Sequence, residues 1–172
     1  MSDNKQDIFA GGKNQNIDVC IKGLSSKDGR TRVLGRKALV NIGPTAIPYL
    51  ITALQDNNQT TRWEAAKALE QIGDPSAIDA LIAALRDSVF DVQWLAAEAL
   101  INIGEKSVRP LLQALVQFPE SDDIRVGAHH VFVDLRAQQS NDILKPVLAA
   151  LGDTTLGLEV PLLAKKALDK LP

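Results

Sequence analysis

The residues of this chain best able to do chemistry are few. Its only two tryptophans, Trp63 and Trp94, lie 31 residues apart, and its only two histidines, His129 and His130, are adjacent. Paired indoles offer flat apolar area with a polar edge, a surface suited to recognition rather than to bond-making. Neighbouring histidines on a helix point about 100° apart, so these two cannot chelate one ion. The single cysteine, Cys20, excludes an internal disulfide. No Ser-His-Asp or Cys-His set, zinc spacing or phosphate-cradling glycine loop is present, and Gly11-Gly12 belongs to a polar tail. These residues predict a non-catalytic protein with no metal and no cofactor.

The tryptophan spacing is one instance of a longer regularity. The segments IDVCIKGL, IPYLITAL, IDALIAAL, VRPLLQAL and LKPVLAAL end at Leu24, Leu54, Leu85, Leu115 and Leu151, in steps of 30, 31, 30 and 36 residues. Each is followed by a second segment, at 32–43, 62–73, 93–104, 125–136 and 161–172. Such a period marks stacked units, none able to bury its apolar stripe alone. Residues 73–104 show the unit most clearly. Gly73 stops one helix, Asp74 caps the next, and Pro75 suits its first turn. Ile78, Leu81, Ile82 and Leu85 then form one stripe, and Asp87-Ser88 breaks the helix. A second helix follows over about 91–103, with Ala96, Ala99, Leu100 and Ile103 facing inward, and Gly104 ends it. The expected fold is all-α: a right-handed α-α superhelix, or solenoid, of about five two-helix repeats. Cys20 aligns with Leu50, Leu81 and Leu111 and reads as a buried core residue. His129 takes the place of Ala66 and Ala97 and is expected to pack within its unit, whereas Arg36, at the same place, either widens the first gap or reaches over the edge.

Composition agrees. With 45% hydrophobic and 23% charged residues the chain is globular, and a net charge of −2 without charge blocks gives no sign of a nucleic-acid or anionic-membrane partner. No run of 18 apolar residues occurs, so no membrane span is expected. The polar start lacks the layout of a signal peptide, and a cytoplasmic protein is the default expectation. Residues 1–14 read as a disordered or irregular tail and 15–172 as a single repeat domain. The fourth unit has Arg136 where others have a stop glycine, then the insert AQQSND at 137–142. The last helix, expected over about 158–171, carries Lys165, Lys166, Asp169 and Lys170, a polar outer surface suited to a cap.

The runs GDPSAIDALIAALRD at 73–87 and RWEAAKALEQIG at 62–73 resemble the HEAT-like repeat of phycobilisome lyases, and the resemblance extends over roughly residues 15–172. It implies an Asp six residues before an Arg, linking adjacent units. Asp56/Arg62 match this, Ser26/Arg32 and Pro119/Arg125 keep only the Arg, and Asp87/Gln93 keeps only the Asp. It also implies that the second helices line a concave groove. By position, that groove holds Val33, Trp63, Trp94, Val126 and Leu162; then Lys37, Lys67, Glu98, His130 and Lys166; then Val40, Glu70, Ile101, Val133 and Asp169.

The partner-binding candidates are therefore Trp63, Trp94, Val126 and His130, with Leu95 and Ile101 adding apolar area and Lys67, Glu70 and Glu98, beside Glu64, forming a charged rim. The indoles either stand in the groove or fold over the next unit and seal the stack. The expected function is a scaffold that binds another protein through the concave groove. The alternative, implied by the resemblance alone, is a subunit or chaperone-like component related to phycobilin lyases. Such a protein would handle a bilin or a phycobiliprotein, any lyase activity would need a partner subunit, and Lys67 or Arg36 would meet the bilin propionates. A hydroxylase of the di-iron kind is excluded, because its facing His-Glu dyads are missing. Duplex DNA is disfavoured, because Lys37, Lys67 and Lys166 are offset by Glu64, Glu70, Glu98, Asp134 and Asp169.

Overall fold

The computed structural model describes residues 17–139, 142–153 and 157–171. The tail expected at 1–14 lies outside them. Among the described residues all regular structure is helical, in five pairs: α1 (Ile17–Leu24) and α2 (Gly29–Ile42), α3 (Ile47–Ala53) and α4 (Gln59–Ile72), α5 (Ile78–Ala84) and α6 (Phe90–Ile103), α7 (Val108–Gln117) and α8 (Asp122–Gln139), α9 (Lys145–Leu151) and α10 (Val160–Leu168). The elements start and stop where local chemistry requires. Asp28 and Asn58 sit in extended conformation before α2 and α4, and their side chains accept N–H bonds from Arg30 and Thr60 at 3.1 and 2.9 Å. Asp74 accepts from Ser76 N–H at 2.9 Å and opens a single 3-10 turn, Pro75–Ala77, that leads into α5. Gly73 ends α4 in the left-handed region at φ 64°.

The helices pack through small residues. Ala65, Ala66, Ala68, Ala96 and Ala99 are wholly buried, so α4 and α6 lie side by side at close range. Gly35 takes the place of Ala65, Ala96 and Ala128, and a Cβ there would come within 2.8 Å of the Cys20 carbonyl oxygen. That contact is backbone to backbone, so α1 and α2 meet at a point where only glycine is tolerated. Cys20 itself is buried, as expected, and burial pushes its thiol pKa up.

In the first four pairs the second helices α2, α4, α6 and α8 pack in chain order, while α1 meets α3 and α5 meets α7 on the other side. The expected link between adjacent units is present at Arg62, but across the six-residue spacing itself the side chain meets main chain rather than a carboxylate. Arg32, Arg62 and Arg125 donate from Nη1 to the backbone carbonyls of Ser26, Asp56 and Pro119 at 2.8, 2.9 and 3.2 Å, and Gln93 Nε2 donates to the Asp87 carbonyl at 2.6 Å. The acceptor is main chain, so Ser26 and Pro119 serve as well as an aspartate. The bridge between units comes from the other edge of the guanidinium. Arg62 holds the Asp87 carboxylate of the next pair at 2.6 and 3.0 Å, a bidentate contact that raises the Arg62 pKa. Asp87 also accepts Val89 N–H at 2.8 Å, so one carboxylate fixes both the loop and the neighbouring unit.

The fifth pair breaks the order. Here α10 packs chiefly on α7, and α9 lies against α8, so the last hairpin is turned round relative to the four before it. Arg109 Nη2 reaches the Leu171 carbonyl at 3.1 Å across this contact. The cause lies at the end of α8. With Arg136 in place of the stop glycine, α8 runs 18 residues against 14 for α2, α4 and α6. Four more residues carry the chain about 6 Å further along the axis before it can turn. Leu162 and Lys166, expected with Asp169 to continue the rows of the second helices, therefore lie on a helix packed against a first helix, and Asp169 caps its end. Helix α10 is also shorter than expected, beginning after the 3-10 turn Gly157–Glu159.

Candidate functional site

An apolar cleft of about 360 Å³ opens between α6 and α8. Its floor depends on one glycine. Gly127 stands in register with Leu34, Glu64 and Leu95 of the other units, and a Cβ at 127 would come within 2.8 Å of Leu85 Cδ2. Without a side chain there, Leu85 and Ala97 become the base of a recess, and Trp94, Val126 and Phe90 stand round it. Trp94 is 47% exposed, and Phe90 and Val126 are each 67% exposed.

The aromatic groups form a continuous run. Phe90 and Trp94, one turn apart on α6, have ring centroids 6.3 Å apart, and Trp94 lies 4.5 Å from the His130 imidazole of α8 at 30°. His130 is held in turn by α6 itself: its Nε2 is 2.8 Å from Glu98 Oε1, while Nδ1 is 4.0 Å from Asp134 Oδ2. The Glu98–His130 contact joins two units and holds the imidazole over the indole, tilted by 30°. This arrangement can stack and accept an apolar group. Among the described residues no cluster of three or more His, Cys, Asp or Glu could hold a metal ion.

Trp94, Val126 and His130 thus come together, with Glu98 orienting His130 and Val133, a neighbour in the expected rows, also lining the recess. The remaining candidates lie elsewhere. Leu95 is buried, because residue 95 faces the core one step round the helix from Trp94. Trp63 is not the equivalent of Trp94. It is half-buried against the core, with the Arg36 guanidinium 5.7 Å from its ring centroid, and it does not line the cleft. Lys67 and Glu70 pair with each other along α4 at 2.7 Å, and Ile101 packs partly buried against the core. Glu64, placed on the rim by sequence, is only 4% exposed and takes up Arg36 and Arg32, the latter at 3.3 Å. Arg36 therefore reaches across to the next unit, where it neutralises a buried carboxylate. His129 is half-buried rather than packed within its unit, near Gly152 at the turn after α9.

Phe90 and Gly127 were not singled out from sequence, yet both carried a signal. At the cap position Val89 replaces Asp28 and Asn58 and makes no side-chain cap, and Phe90 follows where the other units have Gly29 and Gln59. Two apolar residues at a cap are anomalous on stability grounds alone. Gly127 is the lone small residue in a column of large ones.

Fold and cleft together define an α-solenoid with one recessed aromatic patch on the wall of its second helices. Residues 17–118 match HEAT-type repeats: the family model of HEAT repeats matches 17–100, and that of the PBS lyase HEAT-like repeat matches 92–118. No curated protein matches the chain. Similar solved structures include two crystal structures of engineered proteins. One is 20% identical, covering 96% of this chain and 86% of its own at a TM-score of 0.45; the other is 21% identical, covering 96% and 88% at 0.49. Among the described residues no helix is long and apolar enough to cross a membrane.

Proposed function

We propose that the chain is a non-catalytic scaffold that binds another protein on the wall of its second helices, with the α6/α8 cleft as the anchor point. HEAT repeats as a class support a scaffold for protein interaction. The observation that carries the choice of site is the exposed run Phe90–Trp94 beside Val126, placed where a polar cap would serve the fold better. Trp94→Ala combined with Val126→Asp changes side chains that are both largely outside the core, so the fold should be kept, with a lowering of the melting temperature limited to the lost Trp94 contacts with Phe90 and His130. Proteins captured by the wild-type chain from the source cells are expected to include at least one that the double variant fails to retain. Identical capture by both would remove the cleft from consideration.

The bilin-handling reading has less support. The cations that would meet propionates, Lys67 and Arg36, are engaged by Glu70 and Glu64, and the residues lining the cleft include Asp123 but no Lys or Arg. An absorbance change on mixing the chain with phycocyanobilin would revive it.

A further inference from the structure

We infer that the segment taken into the α6/α8 cleft is both apolar and basic: one bulky aliphatic or aromatic side chain in the recess, with Lys or Arg within about four residues of it. This rests on the protein-binding reading above and adds the chemistry of the partner. At about 360 Å³ the recess lies at the small end of ligand pockets, which span about 300–1,000 Å³, and its walls are Trp94, Val126, Leu85 and Phe90. That size and lining suit a single large apolar side chain.

The rim supplies the second half. Asp123 lines the cleft, Asp91 sits exposed beside Phe90, and the Asp122 side chain is 83% exposed. Glu98 and Asp134 flank His130 on the remaining side. Of the nearby cations, Arg125 is held by Asp122 and the Pro119 carbonyl, and Lys67 on α4 is held by Glu70. The N-terminal ends of α6 and α8 also point to this region, but each carries only about half an elementary charge, against full carboxylates at Asp91 and Asp123, Asp122 being paired with Arg125. The potential over the cleft is therefore negative. A Lys or Arg stem can lie along Val126 and Val133 while its charge reaches the aspartates. An acidic segment would be repelled, and a neutral one would gain nothing from the rim.

Random 12-residue peptides displayed on phage and panned against the full chain test this directly. Enriched peptides are expected to share a bulky apolar residue near Lys or Arg. They should bind at least tenfold more weakly to Val126→Asp and to Asp91→Lys/Asp123→Lys, all changes at exposed positions. An acidic or uncharged consensus, basic peptides that bind Val126→Asp as well as wild type, or no enrichment at all would each overturn the inference. The scaffold reading fails separately, by the capture experiment: a cellular partner lost on Trp94→Ala/Val126→Asp alongside an acidic consensus would keep the site and refute its proposed chemistry.

Discussion

Glu64 is a buried carboxylate at a position where α2 and α6 carry Leu34 and Leu95. A lone ion there would cost several kcal/mol, and Arg36 and Arg32 offset that cost with charge-assisted hydrogen bonds. Glu64→Ala leaves Arg36 buried and uncompensated, so it should lower stability by about 3 kcal/mol in thermal or urea unfolding. Arg36→Ala with Glu64→Leu, which copies the other units at both places, should recover most of that loss. An additive loss in the double variant would show that the pair is not coupled. Asp74 carries a pH dependence. The Ser76 amide holds its carboxyl below the ordinary range, so the fold binds fewer protons there than the unfolded chain does. Its contribution is present above the unfolded pKa, near 4, and fades as pH falls through the folded value. The difference in melting temperature between wild type and Asp74→Ala should therefore be larger at pH 7 than at pH 3. Arg36 stood out in its column from the sequence, whereas Glu64 was read as part of the charged rim. What hid the link is that contacts between units follow no fixed spacing along the chain.

At the scale of the helix, α6 gives up its cap. Asp28 and Asn58 show what the position offers elsewhere, about 1 kcal/mol in typical hosts, and Val89 forgoes it. Val89→Asp is expected to raise stability by about 1 kcal/mol in urea unfolding, by restoring the missing side-chain cap. No gain would show that α6 loses nothing by lacking it. Helix positions were legible to within a few residues, the second helix of the third unit being read as 91–103 and found as Phe90–Ile103. The exposure of a given column was not. Trp63 and Trp94 share a register, yet the preceding unit covers one with Arg36 while the following unit stacks His130 on the other. Identity in a column fixes direction, and the neighbours decide access.

For the molecule as a whole, the period revealed the number of units and their close packing, but not the turning of the last pair. The longer step of 36 residues and the missing glycine at 136 marked the place without giving the geometry. Because α10 covers α7, removing residues 153–172 should do more than strip a terminal unit. Amide exchange in α7 is expected to rise markedly, and α5 and α6 should keep their protection; α7 unchanged would contradict the packing described. The same reversal dictates how such a chain could be lengthened. A duplicated module spliced at Gly73 or Gly104 finds its own kind on both flanks, and the wall grows by one rung. The same module placed after Gln139 meets a hairpin facing the wrong way, so growth by copying is confined to the interior.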